Sequence, residues 1–179
     1  MNIDVGLRKS IIGPVAFALL RTLRPRQWLK NVFVFAALVF DHKLTDPNLL
    51  GLSIAAFVVF CFLSSSVYIL NDLSDIEKDR AHPKKRFRPI ASGALPIPVA
   101  YAALVVLAPG SLIAAFSLGL SFGLVALAYF VSNVLYSFWL KHVVIVNPPK
   151  LLAMIWKASF RFFLQLLLAI SLSLSLFPS

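Results

Sequence analysis

Long apolar runs cut by short polar breaks organise this chain. Ile11 to Leu20 is apolar, with Arg8 and Lys9 before it and Arg21, Arg24, Arg26 and Lys30 after it. A signal peptide shares that charge-then-apolar order, but no small-residue cleavage site follows, only more positive charge. Residues 1–30 therefore read as a basic interfacial segment that feeds a first, short span over about 28–40, with Trp28 at headgroup depth. The break at 41–48 carries turn chemistry at Asp46-Pro47. A second span covers 49–70, where Gly51, Ser53 and Ser64 to Ser66 are small enough for close helix packing in lipid. Residues 71–96 are the one long polar stretch. Two more apolar runs, 98–116 and 118–140, join near Pro109-Gly110 or Gly119 without a charge between them. A last run, 151–177, carries Lys157 and Arg161, which cost roughly 2.5–3.5 kcal/mol each at mid-bilayer depth and count against a well-placed fifth span. The pattern predicts an all-α, multi-span transmembrane helical bundle of four or five spans, one membrane domain over 1–179.

Composition sharpens the picture. Of 179 residues, 60% are apolar, against roughly 45–50% in a soluble domain, and 13% are charged where about 25% is usual. Mean hydropathy is +0.88. Seventeen Lys and Arg against seven Asp and Glu leave a formal charge of +10. A disordered basic tail would be poor in apolar residues, and a nucleic-acid-binding domain would carry its charge on a normally polar surface. Both are excluded, so no nucleic acid partner is expected. A membrane protein with basic cytoplasmic loops satisfies both numbers. The N-terminal segment and the 71–96 loop hold six Lys or Arg each, the 41–48 break holds one, and the turn near 110–118 holds none. The positive-inside rule places the N-terminus, the 71–96 loop and Lys141 in the cytoplasm. Cys61, the single cysteine, lies in an apolar run and reads as a small packing residue.

The chemistry concentrates after the second span. Four of the seven acidic residues, Asp72, Asp75, Glu77 and Asp79, lie within 72–79, and none follows Asp79. On a continuing helix, about 100° per residue puts Asp72, Asp75 and Asp79 within an arc of about 60°, with Asn71 beside Asp75 and Glu77 on the opposite side. Like charges at such spacing repel by roughly 0.2–0.5 kcal/mol per pair, and carboxylates near a helix C-terminus oppose its dipole. A sequence that carries both costs points to cation binding there. Hard oxygen ligands suit Mg²⁺, which shares its shell with waters and substrate phosphates. Arg80 and the run His82-Pro83-Lys84-Lys85-Arg86-Phe87-Arg88 follow, and the turn before Pro83 brings basic groups back toward the carboxylates. Metal together with Lys and Arg is a recurrent grip on diphosphate. A solvated charged loop, or a basic loop on anionic lipid, is the alternative.

Asn71-Asp72-x-x-Asp75-x-x-x-Asp79, followed by Arg88-Pro89-Ile90-Ala91-Ser92-Gly93, resembles the first signature of the UbiA-type membrane prenyltransferase superfamily. Tyr136-Ser137-x-x-Leu140-Lys141 is similar to its later tyrosine-and-lysine segment. The segment Arg24-Pro25-Arg26-Gln27-Trp28-Leu29-Lys30-Asn31, with the basic run at 82–88, is closer to the decaprenyl-phosphate phosphoribosyltransferase branch. The resemblance implies a nine-span bundle with a cytoplasmic active site in a bacterial inner membrane, and two facing Asp-rich segments that each help to hold Mg²⁺. The first is present; where the second belongs, this chain reads Asn147-Pro148-Pro149-Lys150. A truncated gene, a frameshift or a fragment would each give this ending, and the chain alone is expected to be inactive.

The expectation is thus a Mg²⁺-dependent transferase acting on a polyprenyl lipid, with a diphosphate-bearing donor. Asp72, Asp75 and Asp79 are the catalytic metal ligands; Asn71, Arg80, Lys84, Lys85, Arg86, Arg88, Tyr136, Lys141 and Lys30 are candidates for the diphosphate. The phosphoribosyl version moves phosphoribose to polyprenyl phosphate; the prenyl version moves a prenyl group to an aromatic acceptor. An inactive membrane protein is the remaining reading. Tyr136 and Lys141 equally read as an interfacial Tyr and a snorkelling Lys. Asn133 reads as an interhelical hydrogen bonder or a cavity-lining residue, and His42 and His142 as surface residues.

Overall fold

A computed structural model of the chain describes residues 3–35, 38–39 and 45–140. Among the described residues every regular element is helical. Helix α1 spans Ile3–Leu23, and its Gly13–Leu23 part is apolar but short for a bilayer. It stops at Arg24, whose φ of +55° is unusual for a residue with a Cβ, and at Pro25, which has no N–H to continue the ladder.

The expected first span over 28–40 takes another form. Pro25–Phe35 is a 3-10 helix of 11 residues, and residues 36, 37 and 40 lie outside the described set. Three residues per turn bring Trp28, Asn31 and Val34 onto one line. Asn31 and Val34 are buried and Trp28 is half-buried, while Leu29, Val32 and Phe33 point outward. The inward line carries an indole and an amide, and both find polar partners on the next helix. The Trp28 indole N–H donates to Ser65 Oγ at 3.0 Å, and the Asn31 amide donates to Ser64 Oγ and Cys61 Sγ, both at 3.3 Å. Trp28 is therefore tied into the protein by its N–H, with Phe62 against its ring.

Helix α2, Pro47–Ser74, is the mast of the fold. Asp46 caps it, its carboxylate accepting from the backbone N–H groups of Asn48 and Leu49, and Pro47 has the fixed φ that suits a first turn. Ser53 and Ser64 to Ser66 are buried, and Ser65 Oγ also reaches the carbonyl of Leu23 at 2.8 Å, which fastens the end of α1. A six-residue helix α3, Ile76–Ala81, a 3-10 turn, Lys85–Phe87, and a tight loop lead to α4, Ile97–Leu118. The break before α5, Leu120–Leu135, falls at Gly119 and not at Pro109-Gly110, which lie inside α4. Gly119 turns the chain in one residue at φ +156° and ψ +146°, a backbone region nearly exclusive to glycine. Gly123 then lets the Phe116 ring lie on α5: a Cβ there would run into Phe116 Cδ1. The chain continues as a π-helical turn, Tyr136–Leu140.

Pro47–Ser74, Ile97–Leu118 and Leu120–Phe138 are each long and apolar enough to cross a membrane. Two cores hold them together. Phe60, Leu63 and Val67 of α2 pack with Val34, Ala115, Phe122, Ala126 and Tyr129, and the Phe60 and Tyr129 rings lie 4.8 Å apart. Nearer the polar end, Ile69 and Leu73 pack with Ala18, Leu23, Ile90, Leu95 and Ala100. In lipid the gain comes from van der Waals fit rather than from water release, which suits the small residues on these faces. The second core is the floor on which the polar residues stand.

Candidate active site

Four pieces of backbone meet above that floor. The last turn of α2 presents Asn71 and Asp72. The helix breaks at Asp75, with φ −110° and ψ 12°, and restarts as α3, which presents Asp79. The loop after the 3-10 turn brings Arg88, and the left-handed residue ending α1 brings Arg24. The loop is held by backbone hydrogen bonds from Ser92 to Arg88, Gly93 to Ile90 and Leu95 to Pro89, with Ile90 and Leu95 buried as anchors. His82 shapes the preceding turn, its Nδ1 accepting from the N–H groups of Lys84 and Lys85.

Asp72 and Asp79 are 3% and 2% exposed, and cations meet both. Arg24 Nη2 lies 2.6 Å from Asp72 Oδ1. Arg88 Nη1 bridges the two carboxylates, 3.1 Å from Asp72 Oδ1 and 2.6 Å from Asp79 Oδ2. Lys85 Nζ is 3.9 Å from Asp79 Oδ1. The Arg24 guanidinium also sits 4.7 Å above the Tyr68 ring, a cation–π contact that backs it against α2. Beside this network is a cavity of about 220 Å³ lined by Arg21, Thr22, Arg24, Asp72, Lys84 and Arg88, with Phe87 and Pro89 as apolar wall. Four cations and one carboxylate line it, so it suits an anion with several oxygens.

The expected residues divide. Asp72, Asp79, Lys84, Lys85 and Arg88 are brought together. Asp75 is half-buried at the helix break, so the single face expected of an unbroken helix is interrupted there. Glu77 is exposed and takes Arg80, which also donates to the carbonyl of Ala91 at 3.3 Å; Arg80 thus pins the loop and does not line the cavity. Arg86 is exposed over the Phe87 ring, and Lys30 is exposed on the 3-10 helix. Asn71 Oδ1 accepts from the Ser137 hydroxyl, which ties the motif helix to the π-helical turn where the half-buried Tyr136 sits. Asn133 spends its amide on the Tyr129 carbonyl of its own helix, at 2.8 Å. Lys141, His42 and His142 lie outside the described residues. Arg21, Thr22 and Arg24 are the residues sequence reasoning left out of the site. Their signal was the density of arginines directly after the first apolar run.

Among the described residues, no group of three or more His, Cys, Asp or Glu side chains gathers closely enough to hold a metal ion. Mg²⁺ does not require one: it binds through one or two carboxylates and completes its shell with waters and substrate phosphates. Asp72 and Asp79, linked through one guanidinium nitrogen beside an anion-suited cavity, are a donor set of that kind.

A profile of the UbiA prenyltransferase family matches residues 31–153. A decaprenyl-phosphate phosphoribosyltransferase of Mycolicibacterium smegmatis is 39% identical over 137 residues, which is 72% of this chain and 42% of that protein. A protein of the same name from Mycobacterium tuberculosis is 43% identical over 131 residues, 71% of this chain and 43% of the relative. One from Corynebacterium glutamicum is 46% identical over 111 residues, 60% and 31% of the two chains. The chain thus spans less than half the length of these curated relatives.

Proposed function

Since the chain belongs to the UbiA prenyltransferase family, we propose that it carries an acidic motif of an integral-membrane transferase that moves phosphoribose from phosphoribosyl diphosphate to a polyprenyl phosphate such as decaprenyl phosphate. The observation that carries this reading is the cavity, where four cations face one carboxylate beside the buried Asp72–Arg88–Asp79 bridge. The names of the relatives favour phosphoribose as the transferred group.

In this reading the donor's diphosphate lies among Arg21, Arg24, Lys84 and Arg88, whose guanidinium and ammonium groups donate to its oxygens. Asp72 and Asp79 would hold Mg²⁺, which supplies neutralisation of the leaving group's charge when bound. The bond from the ribose C1 to the diphosphate oxygen breaks and its electron pair leaves with the diphosphate. A phosphate oxygen of the lipid forms the new bond to C1. That oxygen is already anionic, so no proton has to be removed and no general base is needed. Phe87 and Pro89 supply the apolar part of the cavity's lining. The excess of Lys and Arg in the N-terminal segment and the 71–96 loop supports a reading in which the site faces the cytoplasm of a bacterial inner membrane.

A diphosphate is best neutralised from more than one side, and no carboxylate side chain follows Asp79 in these 179 residues. The decisive experiment is therefore a chimera in which this chain replaces the matched segment of the M. smegmatis relative. With Mg²⁺, phosphoribosyl diphosphate and decaprenyl phosphate it should release diphosphate, and EDTA should stop it. The isolated chain should release none above an Asp72→Asn control. Release only with a prenyl diphosphate and an aromatic acceptor would favour the family's prenyl reaction. An inert chimera beside an active relative would sink the proposal.

A further inference from the structure

We propose that Arg24 and Arg88 are resident counter-cations that close the two buried carboxylates to a divalent cation until a diphosphate arrives, so that anion and cation load together. The inference rests on the diphosphate reading above but not on which donor is used.

The pivot is a single nitrogen. Arg88 Nη1 is within 3.1 Å of Asp72 and 2.6 Å of Asp79. A divalent cation that drew on Asp72 Oδ1 and Asp79 Oδ2 would compete with this nitrogen for the same two oxygens. Arg88 does not leave freely, because a buried carboxylate stripped of its partner is strongly destabilising. A divalent cation that arrives alone also enters a cavity lined by Arg21, Arg24, Lys84 and Arg88, and adds like charge to it.

A diphosphate changes each of these conditions. Its oxygens accept the guanidinium forks in bidentate geometry, which draws Arg88 and Arg24 off the carboxylates. It also cancels the positive excess of the cavity. Asp72 and Asp79 are then open to the cation. Arg24 is the second binding group in this exchange. It is held at a backbone angle of φ +55°, between the end of α1 and the 3-10 helix, and backed by Tyr68 at 4.7 Å. Such strain persists where the surroundings over-determine it, and here it accompanies a guanidinium held 2.6 Å from Asp72 Oδ1. Arg88 comes from the loop, so the two guanidinium groups converge on Asp72 from distant parts of the chain, 48 residues before it and 16 after it.

Coupling of this kind is reciprocal: each ligand tightens the other by the same factor. The test uses the full chain in lipid nanodiscs, Mn²⁺ followed by electron paramagnetic resonance, and inorganic diphosphate as the anion. A protein-free titration removes the direct Mn²⁺–diphosphate complex. Mn²⁺ should bind at least about tenfold tighter with diphosphate than without it, inside the usual range of such coupling. Arg88→Gln should bind Mn²⁺ alone at least about tenfold tighter than wild type and lose most of the enhancement. Arg24→Gln should move in the same direction, and replaces Arg88→Gln if circular dichroism shows that variant misfolded. Equal Mn²⁺ affinity with and without diphosphate in the wild type overturns the coupling, as does a folded Arg88→Gln protein that binds Mn²⁺ no tighter. Diphosphate that fails to bind at all, with or without Mn²⁺, overturns the diphosphate reading itself.

Discussion

Asp72 and Asp79 show how differently three neighbouring acids can be used. Both are buried against arginine, whereas Glu77 between them is 85% exposed and meets Arg80 on the outer surface. An exposed pair of that kind contributes about 0–1 kcal/mol. In the chimera, Asp72→Asn or Asp79→Asn should therefore lower diphosphate release by two orders of magnitude or more, while Glu77→Gln should stay within about threefold of wild type, as befits an exposed pair of small energy. Equal losses at all three positions would refute the division. That the basic run returns toward Asp72 and Asp79 was legible in the sequence, from the turn at His82-Pro83. That Arg88 pairs with both carboxylates directly was not the leading expectation, which gave them to a cation and Arg88 to the diphosphate. Arg24 was not legible. Its partner is 48 residues away, and the φ of +55° it adopts is a property of the folded junction, not of an arginine beside a proline.

At the scale of elements, the long apolar runs declared themselves. Pro47–Ser74, Ile97–Leu118 and Leu120–Phe138 lie where length and hydropathy placed spans, since nothing but a helix satisfies backbone groups across so many apolar residues in lipid. The 3-10 helix was invisible for the converse reason. Its inward line of Trp28, Asn31 and Val34 repeats every three residues and mixes polar with apolar, so neither the helical period nor the strand period detects it. What fixes it is the serine stripe of α2, which no local pattern in 25–35 encodes. The stripe makes a prediction. Ser65→Ala removes the acceptor of the Trp28 indole and the donor to the Leu23 carbonyl, at 3.0 and 2.8 Å, and leaves both inside the protein. It should cost about 1–3 kcal/mol, measurable as a lower midpoint in detergent unfolding followed by Trp fluorescence. An unchanged midpoint would show that the 3-10 helix is held by packing alone.

For the whole molecule, the question is which way the bundle faces. Among the described residues, the cations that line the cavity, Arg21, Arg24, Lys84 and Arg88, sit at one end of α2, near the core of Ile69, Leu73, Ile90 and Leu95. Gly119, the turn between α4 and α5, is at the other end of α4. Ser111, in the stretch where the sequence suggested that turn, is buried within α4 and cannot report a loop. Reporter fusions at Lys85 should give cytoplasmic signals, and fusions at Gly119 should give external ones. An external Lys85 would remove the site from any cytoplasmic sugar diphosphate. The outward faces fit a lipid surround, with Val105, Val106 and Ile113 of α4 exposed in a row that water would not favour.

The span of 48 residues between Arg24 and Asp72 has a further consequence, because a ribosome makes this chain in one direction. Asp72 is never made without Arg24 already upstream of it, whereas Arg88 follows only 16 residues later. The network is thus asymmetric in time: its first guanidinium precedes both carboxylates, and its second closes the bridge between them.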